Sequence, residues 1–423
     1  MAQTTLPLTR PSSRWRDVLA GTPGTLRIFA VIVVAGALVF GVIGFAAVSG
    51  RSSALATARS EAAQLVRLQR IHTNLVEADA SATNAFLVGG LEPRESRVAY
   101  EDGVARASAT LAEASAHSDA DGAALGKVND ALTRYTGLVE SARANNRQGF
   151  PVGVAYLKQA STLLQQEMLP TLTTLVDRSQ RRVFDAYGRS DSTMVGLVIG
   201  AALALGAALF ANGWLATRTR RMVNVPLALA AVVVLVATAV TGLLMGVAQV
   251  KANDVRDGPY AETVALAAAR IAAFDAKSAE SLTLISRGSG EAYDQRFDEQ
   301  LTTALAQVND ADRLGVDPSV GQTLEAYRMV HLTIRAADTS GKWDDAVAIA
   351  TGPASDPTSA NGAFRAFDVA SGTELDARAA TIADDLRTAR TPLTGLRWVL
   401  LVVALAAAAS AWRGIAIRLR EYQ

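Results

Sequence analysis

The chain has 423 residues, half of them apolar, and its 41 Lys and Arg against 40 Asp and Glu leave a formal net charge of +1. That balance gives no global attraction to nucleic acid, and the length exceeds one compact domain. Without cysteine there is neither a disulfide framework nor a thiolate metal or redox site, and three histidines scattered singly at His72, His117 and His331 predict no metal centre and no cofactor.

Residues 1–27 carry Arg10, Arg14, Arg16 and Arg27 against Asp17, which predicts a cytoplasmic tail by the positive-inside rule. Residues 28–49 are uncharged and reach the ~20 residues of a membrane span. Ala47-Val48-Ser49 resembles a cleavage site, but the run exceeds the ~7–15 apolar residues of a secretory signal and continues into a helical pattern, so an uncleaved span is expected.

Residues 50–192 read as a soluble helical segment. Leu65, Leu68, Ile71 and Leu75 recur at steps of three and four, the spacing of a one-sided apolar helix. Breaks are predicted at Gly89-Gly90-Leu91-Glu92-Pro93, at Ser118-Asp119-Ala120-Asp121-Gly122 and at Gly149-Phe150-Pro151. The outer helices, of about 40 residues, would rise ~60 Å, and the inner two, of about 25, ~37 Å. A four-helix bundle on a two-helix stalk is expected.

Next comes an apolar hairpin, with spans at 193–216 and 226–250 flanking the loop 217–225. Arg218, Arg220 and Arg221 in that loop assign it to the cytoplasm. Gly196 and Gly200, and Gly242 and Gly246, form two small-residue pairs that would let these two spans approach each other closely, although spans this rich in Ala and Gly contain such spacing equally by chance.

Residues 251–395 then repeat the scheme, with breaks at Arg287-Gly288-Ser289-Gly290 and Gly315-Val316-Asp317-Pro318 and an extra short helix opened by Gly341-Lys342-Trp343. The wording echoes as well: Ala78-Asp79-Ala80-Ser81-Ala82-Thr83-Asn84 stands where Phe274-Asp275-Ala276-Lys277-Ser278-Ala279-Glu280 stands in the second segment, as if one unit were used twice. A fourth span at 396–412 is short, with Arg397 able to snorkel and Trp398 and Trp412 suited to the interfaces; a helix lying in the interface is the rival reading. Residues 413–423, with Arg413, Arg418 and Arg420, return to the cytoplasm. The expected fold is all-α, four transmembrane helices carrying two extracytoplasmic antiparallel four-helix bundles in tandem.

No phosphate loop, nucleophile elbow or HExxH is present, the tails and loop are too small for a catalytic domain, and no enzyme is expected. Asp119-Ala120-Asp121-Gly122 lacks the oxygen ligands that would continue a calcium loop. The spans hold no ionisable residue in their interiors, which argues against a transport path. Arg67 and Arg70, three apart on one helix, could grip a carboxylate, although a solvated helix face is the plainer reading. Partner contact is expected at the distal turns, through Gly89, Gly90, Pro93, Phe150, Pro151, Arg287, Gly288 and Trp343, which read equally as helix breaks.

The Ala/Asp/Ser run into Phe86-Leu87-Val88-Gly89-Gly90 and the Phe150-Pro151…Ala155-Tyr156-Leu157 helix start resemble the helical sensing bundles of bacterial chemoreceptors. With Leu282-Thr283-Leu284-Ile285-Ser286-Arg287-Gly288-Ser289-Gly290…Tyr293, the whole chain resembles a family of actinobacterial membrane sensors. That resemblance implies detection of external amino acids such as aspartate or glutamate, an amino-acid-binding lipoprotein as the outside partner, and relay to a cytoplasmic Ser/Thr kinase. A second copy of the chain is a further candidate partner. The competing expectation is a passive scaffold or accessory subunit in an envelope or transporter complex.

Overall fold

The computed structural model describes residues 21–88, 92–148, 151–188, 192–219 and 224–420. Gly89, Gly90 and Phe150 lie outside them, as do most of the arginines of the N-terminal tail and of the 217–225 loop. The described residues form helices α1 (Gly21–Leu87), α2 (Arg94–His117), α3 (Gly122–Arg147), α4 (Val152–Leu163), α5 (Leu169–Gly188), α6 (Ser192–Thr219), α7 (Val225–Val255), α8 (Ala261–Ile285), α9 (Glu291–Leu314), α10 (Ser319–Thr339), α11 (Trp343–Thr351) and α12 (Ala360–Arg420), and no strand. Four stretches, Gly24–Leu87, Met194–Thr217, Val225–Ile285 and Ala360–Ile417, are long and apolar enough to include a membrane crossing.

Two π-helical turns, Leu164–Met168 and Arg256–Tyr260, link α4 to α5 and α7 to α8. Pro259 sits inside the second; with no N–H it cannot close a bond to the preceding turn, and the ladder widens by one residue there. At the end of α9 the chain turns through Gly315 at φ 119, a left-handed position where a side chain would be strained.

The chain divides into two compact units, one drawn from 1–56, 186–250 and 388–423, the other from 57–185 and 251–387. In the first, many small residues face inward: Ala30, Ala37, Ala201, Ala204, Ala208, Ala404 and Ala411 are buried, while Val31, Val42, Leu209, Phe210, Leu243 and Val402 are exposed. Phe40, Leu197, Leu227 and Leu400 are buried among them, and the many small residues let the helices pack closely, as helices do within lipid. A Cβ placed on Gly41 of α1 would lie 2.5 Å from the Cβ of Ala404 in α12, so these two backbones approach as closely as glycine permits. The glycine pairs expected to join the second and third spans do not face each other. A Cβ at Gly200 would meet Ile43 of α1 at 3.3 Å and one at Gly196 would meet it at 3.8 Å, whereas nothing lies within 4 Å of Gly242 or Gly246. Spacing alone identifies small residues without saying which neighbour they admit.

In the second unit each hydrophilic segment supplies a core. Leu68, Ile71, Leu75, Leu111, Tyr135, Leu157 and Met168 belong to one, and Leu266, Phe297, Leu301, Tyr327, Ile334 and Phe367 to the other, which Val76, Ala80 and Leu87 of α1 also join. Helix α1 therefore serves both. Helix α8 is buried almost all round, from Ala272 to Leu284.

Candidate functional site

The small residues of α1 and α8 determine what lies between them. Ala78, Ala80 and Ala82 on one helix and Ala273, Ala276 and Ala279 on the other are buried, and short side chains let two helix axes come near enough for short polar groups to touch. Asp79 does so, at 2 % exposure. Its carboxylate accepts hydrogen bonds from Ser278 of α8 at 2.7 Å, from Ser161 of α4 at 2.8 Å and from Tyr135 of α3 at 3.2 Å. Burial pushes its pKa up; the three hydroxyls oppose that shift and the nearby Asp275 adds to it. Four helices thus converge on one carboxyl group that, among the described residues, has no cation against it.

Asp275, the residue matched to Asp79 in the sequence echo, is held differently. The guanidinium of Arg296 in α9 bonds both of its oxygens, the closest approach being 2.8 Å, and the same guanidinium donates to Gln165 in the first π turn. A third buried group follows one turn along α8, where Glu280 accepts from the Lys277 ammonium at 2.8 Å and lies 2.7 Å from Nδ1 of His331. The His331 ring stacks on Phe297 with centroids 3.4 Å apart. Burial alone would raise the Glu280 carboxyl, but the Lys277 and His331 contacts outweigh it and hold its pKa at about 2.

Beside this seam lies an open cleft of about 320 Å³ whose walls include Glu77, Ser81 and Asn84 from α1, Lys277 from α8, and Asn361 and Arg365 from α12. The Asn361 amide donates to Asn84 Oδ1 at 3.2 Å and to the Gly352 carbonyl at 3.0 Å, and Asn84 donates to the Ala350 carbonyl at 3.1 Å. The two bonds of Asn84 join the two hydrophilic segments. Among the described residues, no group of His, Asp and Glu is arranged to hold a metal ion. What the site offers chemically is charge and hydrogen bonding enclosed between helices, an arrangement that tolerates only discrete packings because a small slip would strand buried polar groups.

The residues expected to bind are dispersed. Arg67 reaches Gln64 at 3.4 Å, while Arg70 reaches Asp376 at 2.6 Å with both side chains largely exposed; they do not converge, and an exposed pair of this kind contributes little. Arg287 and Trp343 are brought together, the guanidinium 3.9 Å from the ring centre and the indole N–H donating to the Leu284 carbonyl at 3.0 Å. Arg287 and Gly288 take positive φ values of 38 and 81, forming the tight exit from α8. Pro93 lines the cleft, and Pro151 opens α4. The seam has almost no local signature in the sequence. Its only signal there was Asp79 and Asp275 at matching places in alanine-rich surroundings.

Residues 54–188 match the profile of the actinobacterial sensor domain. No curated protein and no solved structure gave a match. The matched interval contains Asp79, Tyr135 and Ser161, three of the four residues of the buried carboxyl cluster. Together with the four helices apolar enough to cross a bilayer, it supports an actinobacterial sensor protein of the membrane.

Proposed function

We propose that the chain is a plasma-membrane signal transducer of the kind represented by the actinobacterial sensor GlnX, non-catalytic, with both termini in the cytoplasm and both hydrophilic segments outside. On this reading it detects an external amino-acid signal, delivered by an amino-acid-binding lipoprotein, and relays it to a cytoplasmic Ser/Thr kinase. The observation that carries the reading is the composition of α1: one helix contains an apolar run long enough to span, residues 54–87 of the matched sensor domain, and the buried Asp79 contact to α8. A stiff helix tied to its neighbour by buried polar bonds moves in discrete steps, as signalling across a bilayer requires.

The test uses the native absence of cysteine. Single cysteines at Ser118 or Ser355 should react in intact cells with a membrane-impermeant thiol reagent, and one at Thr219 should not. Crosslinking from a cysteine at Arg287 to the lipoprotein should change in yield when aspartate or glutamate is added. A yield indifferent to amino acids would favour the passive scaffold, because a sensor must bind differently in its two states.

A further inference from the structure

We infer that the cleft between α1, α2, α8 and α12 is a binding site for a free zwitterionic α-amino acid, held by Arg365 at its carboxylate and by Glu95 and Asn361 Oδ1 at its ammonium group. The inference rests on the sensing reading for its purpose and on the cleft for its chemistry.

Most of the charge in the cleft is already committed. Glu77 is 2.6 Å from Arg106, Asp368 is 2.5 Å from Arg270, and Lys277 is 2.8 Å from Glu280. Among the described residues, two charged lining groups have no ion-pair partner, and they are of opposite sign: Arg365 on α12 and Glu95 on α2. The Ser81 and Ser96 hydroxyls are also unengaged, and Asn361 donates two hydrogen bonds while its own Oδ1 accepts none. Free polar groups of both signs, brought into one concavity from three helices, are what an orienting site requires. A guanidinium offers a carboxylate two parallel donors. An ammonium needs acceptors, and Glu95 and Asn361 supply them.

Size narrows the ligand further. About 320 Å³ is at the small end of the ~300–1,000 Å³ of small-molecule sites, enough for an amino acid. The apolar part of the wall includes Phe274 and Phe364, packed edge to face at 4.9 Å, and an amino-acid side chain would lie against it. One rim is already rigid: Ser359 Oγ donates to the Pro353 carbonyl at 2.8 Å, and Thr358 N–H donates to Asp356 Oδ1 at 2.9 Å. Less ordering is then needed on binding. Because Ser81 and Lys277 neighbour Asp79 and Ser278 in sequence, occupancy bears directly on the α1–α8 seam.

The experiment is isothermal titration calorimetry on the full-length protein in detergent with L-aspartate, L-glutamate and L-glutamine. Glutarate, which lacks the ammonium, and isobutylamine, which lacks the carboxylate, are the controls. At least one amino acid should bind, and R365Q and E95Q should each weaken it by about tenfold or more, with R67Q unchanged. Both substituted residues are exposed, so the variants should melt as the wild type does. No binding of any of the three up to ~10 mM, or R365Q and E95Q binding like the wild type, would overturn the inference. If binding fails while amino acids still alter the Arg287 crosslink in cells, the cleft is wrong and the sensing reading stands. Binding without any cellular response would retain the site and remove its proposed purpose.

Discussion

Ser278 donates to the buried carboxyl group of Asp79 at 2.7 Å, joining two helices whose sequences are 199 residues apart at this contact. Removing the carboxyl strands three hydroxyls, and each lost buried hydrogen bond costs roughly 1 kcal/mol. D79A should therefore lower stability by about 2–4 kcal/mol once the small cavity is included, S278A by about 1 kcal/mol, and D79N by less than D79A because the amide oxygen still accepts. The sign of the pH effect follows from the raised pKa of Asp79. The folded state favours the proton, so its contribution is present at low pH and is lost as pH rises from the ordinary value of 3.8 through the folded one. Urea melts followed by circular dichroism would show the wild type losing ground to D79N on that rise; identical slopes would mean that the carboxyl is solvated in the folded protein.

The Lys277–Glu280–His331 cluster makes the opposite prediction. Breaking a buried ion pair by removing one partner typically costs about 3–5 kcal/mol, whereas replacing both partners by apolar groups can be nearly neutral. K277M should destabilise strongly and K277M/E280L should recover much of the loss, a non-additivity that a double-mutant cycle measures. Glu280 is held at about 2 against an ordinary 4.5, so its stabilisation is complete above 4.5 and is lost as pH falls through about 2. An additive cycle would show that Lys277 and Glu280 do not share one network.

Much of the helical layout is legible in local sequence because it depends on local physics. The three- and four-residue steps of Leu65, Leu68, Ile71 and Leu75 produce a buried stripe, and Gly288 and Gly315 fall where the backbone takes positive φ. The seam is not local. Nothing near Asp79 in sequence names Ser278 as its partner, and a charged run such as Asp275 to Glu280 reads as a solvated face until α8 is seen to be covered on every side. Val76, Ala80 and Leu87 likewise lie in the core of the other segment, a membership that periodicity within α1 cannot express. The cleft depends on the same long-range pairing, so nothing local marks Arg365 and Glu95, whereas the spacing of Arg67 and Arg70 on one helix is visible in the sequence.

His72 lies at 6 % exposure on α1, and burial lowers its pKa from 6.5 to about 4. Between those values the unfolded chain binds a proton that the folded protein refuses, so stability falls as pH falls through the window. The separation corresponds to about 3 kcal/mol. Melts at pH 7 and pH 4.5 should show the wild type losing more than H72L over that interval, with the difference in the His72 window distinct from the Glu280 effect below it. Equal losses would place a solvated imidazole at this position.

Close approach of α1 and α12 at Gly41 yields a prediction for the apolar unit. Any side chain there must displace Ala404, since a Cβ would stand 2.5 Å from the alanine methyl, and packed cores respond to such overfilling with losses of about 1–3 kcal/mol. G41V should therefore lower the melting temperature of the detergent-solubilised protein, and A404G should partly rescue it by giving back the space. G242V and G246V, which meet nothing within 4 Å, should leave the isolated chain's melt unchanged even though their spacing is the one usually read as a helix contact. If G242V were as damaging as G41V, the third span would have a close neighbour on that face, and a second copy of the chain would be the first to test by analytical ultracentrifugation.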